Sequence, residues 1–389
     1  MKDTIQQQRL QAVQRYRNGE SATGICASFG RSTRWLYKWI ERFKEESNIW
    51  NDDRSRCPLS NPNRTSSEIE EVVQMIRLNL YNQSYFCGAQ AILWEMEDLE
   101  VRPLPSIRTI NRILKRKGLT HRRTGSYEPK GKSYPKLPSL LPNQTQQADM
   151  VGPCYLKGPV RFYSINAIDI ATNRCGIFPS ENRSNQSIID AFWAIWIRLG
   201  MPSNIQVDNA MSFYGSPTYP RGMGQFIRFC LHYNVEPWFI PLAEPWRNGV
   251  VEKFNDNYQQ RFLNKVIMES FAELGTASLS FEQRHNGHYR YSKLGGKTPF
   301  KALAASKRRL RFPQKENAPQ IPLPKPETGK YHIVRFIRSN CKLNIFSELF
   351  QVPPELMYEY VVATIDVKEQ KLKLFLEKTQ VDEIDYKLR

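Results

Sequence analysis

The chain has 389 residues and carries 56 Lys+Arg against 38 Asp+Glu, a formal net charge of +18. So large a basic excess points to a polyanionic partner, and the length exceeds a single compact core, suggesting roughly two to four domains. With 8 Trp, 18 Tyr and 20 Phe, wholesale disorder is excluded. The Cys residues at 26, 57, 87, 154, 175, 230 and 341 form no C-x-x-C pair. That argues against structural zinc and a disulfide framework, and for a reducing, cytoplasmic setting. No apolar run reaches the ~18 residues of a membrane span, and the N-terminal stretch has no apolar core of signal-peptide length.

Residues 1–48 read as a helix-turn-helix unit. Ile5, Leu10, Val13 and Tyr16 recur at near-helical spacing, Gly19-Glu20-Ser21 breaks the pattern, and a short helix follows to Phe29-Gly30. Ser21 and Ser32 are placed as N-caps. The third helix, TRWLYKWIERFKEE, buries Leu36, Trp39, Ile40 and Phe43 and carries Arg34, Lys38 and Arg42 on another face. A basic last helix after a tight Gly turn is the pattern that enters a major groove.

Residues 49–65 are a polar, Pro-bearing linker, and 66–120 repeat the three-helix logic. The last helix there, IRTINRILKRKGL, sets Ile107, Ile110, Ile113 and Leu114 on its apolar face, with Arg112, Lys115 and Arg116 as DNA-contact candidates. Arg122 and Arg123 open a basic linker, 121–143. Positions 101–140 hold eleven Lys/Arg and one Glu, a balance suited to phosphate contacts that give affinity without sequence information.

From residue 144 the pattern turns strand-like. TQQADMVG is a strand carrying Asp149, and two further strands, a helix (185–199), the strand IQVDNA ending at Asp208, a helix, the strand EPWFIPL and a helix from Gly249 follow. On that last helix Val251, Phe254, Tyr258 and Phe262 face inward, while Glu252, Asn255 and Gln259 share a neighbouring face. The three acidic residues can converge at one edge of a mixed sheet. Carboxylates so placed repel unless a cation neutralises them, and oxygen-only ligands select Mg²⁺ or Mn²⁺. Asp169 reads as a turn-flanking residue, and His232, His285 and His288 as structural or DNA-facing.

The segments QQADMVG, IQVDNAMSFYG and PLAEPWRNGVVEKFN resemble the three motifs of the DDE transposase and retroviral-integrase superfamily, above all bacterial insertion-sequence transposases with an integrase core. The resemblance covers residues 144–300 and implies an RNase H-like mixed-sheet core. It makes Asp149, Asp208 and Glu252 the catalytic residues and the ligands of two metal ions, Asp149 bridging both. Ala210 stands where the family usually has Gly, the gap from Asp208 to Glu252 is long, and no Arg-Pro-His follows. The implied activity is metal-dependent cleavage at element ends and strand transfer into target DNA. The competing reading is a catalytically inactive DNA-binding regulator derived from a transposase. The implied partners are double-stranded DNA and further copies of the chain in a synaptic complex, at the nucleoid. No P-loop is present, so no nucleotide cofactor is expected.

Residues 301–330 are a Pro-rich basic linker, and 331–389 hold five short strand patterns that suggest a small SH3-like β-barrel. The expected whole is a multidomain α/β protein: N-terminal helix-turn-helix units, an RNase H-like core and a C-terminal small β-barrel.

Overall fold

The computed structural model describes residues 2–45, 50–54, 65–120, 133–215, 221–314 and 317–389. The chain divides into two compact units, 1–65 and 66–389.

The first unit holds helices α1 (Lys2–Arg17), α2 (Ala22–Phe29) and α3 (Thr33–Lys44). The Ser21 side chain accepts from Gly24 N–H, Ser32 from Trp35 N–H, and Gly30 ends α2 in the left-handed region at φ 60°. Ala12, Ile25, Cys26 and Leu36 form the core, and Val13 is buried as well. Trp39 is buried too, with the Arg9 guanidinium 3.9 Å from its ring centroid. Ile5 and Leu10, expected inside, are exposed. On α1 the buried apolar residues are Ala12 and Val13.

The second unit begins with α4 (Ser67–Asn82), α5 (Ala89–Asp98) and α6 (Ile107–Arg116). Ser66 and Ser106 cap α4 and α6, and Val73, Ile92, Met96 and Ile110 are fully buried between the helices. Ile107, read as part of the apolar face, lies exposed in the first turn of α6. These helices do not stand apart from the rest of the unit. Tyr289 Oη donates to Ser84 O (2.7 Å), Arg261 donates to Ser84 O and Tyr85 O, and Arg290 pairs with Asp98 (2.6 Å).

The sheet region contains β1 (Thr145–Tyr155), β2 (Arg161–Asp169), β3 (Cys175–Ser180), α7 (Asn185–Leu199), β4 (Asn204–Val207), α8 (Met211–Tyr214), α9 (Gln225–His232) and β5 (Glu236–Phe239). Then come α10 (Gly249–Tyr258), which runs on as a π-helical turn (Gln259–Leu263), α11 (Phe271–His288) and α12 (Pro299–Ser306). The chain continues through β6 (Lys330–Phe336), β7 (Lys342–Ile345), β8 (Glu348–Gln351), β9 (Tyr360–Asp366), β10 (Lys371–Leu376) and β11 (Thr379–Asp385).

Nine strands form one mixed sheet in the order β11-β10-β9-β6-β5-β4-β1-β2-β3. Strands β1, β4, β5 and β6 run parallel to their neighbours in that series, and the two flanks are antiparallel. Both faces of the strands are apolar, so both are covered. Ile165 and Ala167 of β2 pack with α7 and α9 on one side, while Ile168 and Ile177 pack with α10 and α11 on the other. Trp196 of α7 stacks on Phe229 of α9 at 4.9 Å. Gly176 of β3 admits α7 closely: a Cβ there would lie 2.6 Å from Ile195 Cγ2.

The expected independent barrel over 331–389 is corrected by this topology. Strand β6 pairs in parallel with β5 (Trp238↔His332, Phe239↔Ile333), so β6, β9, β10 and β11 lengthen the core sheet. Only the β7–β8 hairpin forms a sheet of its own among the described residues. The physical reason is the edge of β5. Left bare, a short apolar parallel strand would offer unpaired N–H and C=O groups to other chains. Among the described residues no helix is long and apolar enough to cross a membrane.

Candidate active site

Strands β1 and β4 each carry the pattern Gln-x-Asp, as Gln147-Ala148-Asp149 and Gln206-Val207-Asp208. They run parallel with Gln147 opposite Gln206. A strand's side chains alternate between faces, so Ala148 and Val207 point together into the core while Gln147, Gln206 and Asp149 share the other face, and Asp208 follows directly after β4. The two carboxylates lie near each other, since the charge of Asp208 acts on Asp149.

The start of α10 is fastened over this patch. Gln147 Oε1 accepts from Val250 N–H (2.9 Å) and Val251 N–H (3.1 Å), satisfying two first-turn donors that have no partner within the helix. Gln206 Nε2 donates to Arg247 O (2.8 Å), and the buried Asn248 donates to Ala148 O (2.9 Å). Glu252, in the first turn of α10, is carried to the side of Asp149 by these bonds.

Asp149 is half-buried. Its Oδ1 accepts from Met150 N–H (2.8 Å) and its Oδ2 from Asn255 Nδ2 (2.8 Å). Burial pushes its carboxyl up to about 6, the two hydrogen bonds oppose that, and the charges of Asp208 and Glu252 add to it. Burial also raises Asp208, against the Ala210 N–H it accepts at 3.0 Å, and raises Glu252, helped by Asp256. Asp149 thus interacts with both other acids. They do not close into a cage: among the described residues no three acidic, imidazole or thiol groups lie close enough to hold a metal ion. The donor chemistry nevertheless fits a hard divalent cation, since all three groups are oxygen donors and Asp149 bears the cost of its acidic neighbours. Glu252 makes no hydrogen bond or ion pair among the described residues, and its charge acts on Asp149.

Behind Asp149 runs a buried relay that sequence reasoning did not identify. Ser164 Oγ donates to Asn166 Oδ1, Asn166 Nδ2 to Asn255 Oδ1, and Asn255 Nδ2 to Asp149, each at 2.8 Å. Asn166 lies directly across the β1–β2 pair from Asp149. The one signal in the sequence was the three-residue spacing from Glu252 to Asn255 on a helix face.

The DNA-contact candidates occupy varied surroundings. Arg34 is exposed on α3. Lys38 and Arg42 flank Trp39, at 5.2 and 4.6 Å from its ring, and Arg42 also donates to Asp52 O. Arg112 and Lys115 are exposed on α6, whereas Arg116 pairs with the buried carboxylate of Glu70. Arg122 and Arg123 lie outside the described residues. Arg247 is not a free cation either: it sits 4.1 Å from the Tyr134 ring, pairs with Glu244 (2.9 Å) and donates to Tyr360 Oη (3.0 Å). Two of the histidines have structural surroundings: His285 is fully buried against Tyr289, and His232 meets Pro324 O at 3.0 Å.

Several solved structures are similar to parts of this chain. The magnesium complex of the HTLV-2 integrase catalytic core domain is 20% identical over 43% of this chain and 99% of its own, with a TM-score of 0.34. The intasome of simian T-cell lymphotropic virus with the PP2A regulatory subunit B56 gamma is 14% identical over 82% of this chain and 97% of its own, with a TM-score of 0.37. The BIV integrase catalytic core is 14% identical over 42% of this chain and 96% of its own, with a TM-score of 0.33. In the first unit, residues 6–49 match the homeodomain-like domain family, the region where three helices, two of them capped by serines, close on Leu36. The N-terminal unit is therefore a homeodomain-like helix-turn-helix domain.

Proposed function

We propose that this chain is a DDE-type DNA transposase that cleaves DNA at element ends and transfers the freed strand into a target. The observation that carries the reading is the meeting of three acids: Asp149 on β1 feels the charges of Asp208, just past the end of the adjacent parallel strand β4, and of Glu252, on the helix fastened above them. Asp149, Asp208 and Glu252 would hold two Mg²⁺ or Mn²⁺ ions. When bound, such a pair supplies Lewis-acid polarisation and charge neutralisation at a phosphodiester.

The chain's own residues set the stage for this chemistry. Gln147 and Gln206 hold α10 at its start, and Asn255 fixes one oxygen of Asp149 so that the carboxylate cannot rotate freely. In the first step a water oxygen bonds to phosphorus as the P–O3′ bond breaks, freeing a 3′-OH. In the second that 3′-OH attacks a target phosphodiester and displaces a target 3′-OH. One P–O bond forms as another breaks each time, so no nucleotide energy source is required. The homeodomain-like unit, with α6 and its exposed Arg112 and Lys115, would supply duplex DNA contacts. Two element ends must meet, so the working form is a homo-oligomer.

The alternative, an inactive DNA-binding regulator, draws on the open arrangement of the three acids. One experiment separates the two. The full chain is incubated with duplexes carrying the flanking element ends and Mg²⁺, and the products are scored for nicks at the 3′ ends. The transposase reading expects nicks from the native chain and none from Asp149→Ala, with end binding retained in both. Binding without nicks by the native chain would establish the regulator.

A further inference from the structure

The loop that follows Asp208 is held from a distant part of the sequence. Asn209 Nδ2 donates to Ile240 O (2.6 Å), at the end of β5. Its Oδ1 accepts from Arg335 Nη2 (3.0 Å), on β6. The same guanidinium donates to Tyr214 Oη (3.3 Å), Ile240 O (3.3 Å), Val334 O (2.9 Å) and Asn344 O (3.3 Å). Tyr214 is in turn locked by Phe346, whose N–H donates to its Oη (3.1 Å) and whose ring stacks on it at 4.1 Å. The segment from Asp208 to Tyr214 is thus gripped near both ends by one buried arginine and the turn after β7. A lysine at 335 could not fill this role. A guanidinium presents planar donors in several directions at once, while an ammonium is a point charge on a flexible stem.

We propose that Arg335 is a positioning residue for the carboxylate of Asp208, acting through Asn209. The inference rests on the reading of Asp208 as a metal-holding residue and deepens it. The C-terminal strands then form part of the catalytic apparatus and are more than an appended DNA-binding module. Arg335 does not reach the Asp208 carboxylate in the described contacts. It fixes the next residue, and a misdirected Asn209 swings the Asp208 side chain away from Asp149.

The test uses the full chain with Arg335→Lys, Asn209→Ala and the double variant. Hydrogen exchange in the absence of metal reads the loop directly. Amides of 209–214 should exchange about tenfold faster or more in both single variants, while those of β1 and α7 keep their native protection. Cleavage in Mg²⁺ should fall about tenfold or more in each single variant, as for loss of a residue that orients a ligand, with end binding unchanged. The double variant should be no worse than the worse single one, because both changes cut the same link. Native-like exchange at 209–214, or cleavage losses that multiply in the double variant, would overturn the assignment. Asn209→Ala leaves Arg335 and its other bonds in place, so the question is decided even where Arg335→Lys fails to fold. A native chain that never cleaves would sink the transposase reading alone, and the exchange comparison would still judge Arg335.

Discussion

Gln147 and Gln206 face each other across the parallel pair β1–β4, and both side chains turn up to the backbone at the start of α10, Gln206 through a 2.8 Å bond to Arg247 O. Two residues further on stand Asp149, within β1, and Asp208, just past the end of β4. The paired Gln residues fasten the helix of Glu252, and Asp208 lies close enough for its charge to act on Asp149. Each carboxylate is held at a cost, since all three are shifted away from the ionised form by burial.

That cost should be visible in Asp208→Asn. Burial raises the folded-state pKa of Asp208 above its unfolded value, so its contribution to stability is fullest below the unfolded pKa and is lost as pH rises through the folded one. At neutral pH the ionised group opposes folding of the metal-free chain. An amide keeps the acceptor for Ala210 N–H and removes the charge beside Asp149. Thermal melts at neutral pH should show the variant at least as stable as the native chain without metal. Mn²⁺ should raise the melting temperature of the native chain by mass action and leave the variant unmoved. Equal stabilisation of both would contradict the placement of the metal.

Asn255→Ala should lower cleavage about 10- to 100-fold, the usual loss when a group orienting a metal ligand is removed. It should also destabilise the fold by about 1–3 kcal/mol, because Asn166 loses its acceptor in a buried site. Single-turnover rates and urea midpoints measure the two effects. Asn255→Ser, which restores a short donor, should recover part of both, and a cleavage rate unaffected by either change would remove Asn255 from the site.

The buried His285 should govern part of the acid limb of stability. Desolvation depresses its folded-state pKa to about 4, against the ordinary value near 6.5 in an unfolded chain. The unfolded state then binds more protons, so stability is full above about 6.5 and falls as pH drops toward about 4. The difference amounts to about 3 kcal/mol, at 1.36 kcal/mol per unit. His285→Phe keeps a ring beside Tyr289 and Phe254 and should flatten the curve across that window. Denaturation midpoints between pH 7 and about 4 decide it, and a variant with the native slope would assign the limb to other groups.

The joined sheet predicts a single unfolding transition for residues 66–389. Trp196 of α7 and Ile333 of β6 belong to one contiguous apolar core. Trp196→Ala should cost about 3–5 kcal/mol and Ile333→Ala about 2–5 kcal/mol. Both should move the same calorimetric transition. If Ile333→Ala shifts a separate, lower transition and leaves the first unmoved, the C-terminal strands are an independent domain after all.

Much of the framework could be read from local pattern. The caps at Ser21, Ser32, Ser66 and Ser106, the stop at Gly30, and the strand–helix alternation around Asp149, Asp208 and Glu252 all depend on neighbours a few residues away. Such short-range chemistry is written directly in residue order. Burial was less legible: Ile5, Leu10 and Ile107 have the right period but the wrong neighbours, because periodicity names a face without saying what will cover it.

What determines the site lies further off. Asn255 meets Asp149 and Asn166 across 106 and 89 positions, and Arg335 meets Asn209 across 126. No local spacing encodes such partners. Most strands over 331–389 were visible as strands, though β8 was missed and β11 starts earlier than expected, yet strand alternation is the same in a closed barrel as on the flank of a larger sheet. Their fate was decided by the bare edge of β5, whose backbone donors and acceptors needed a partner that only the folded chain could bring to it.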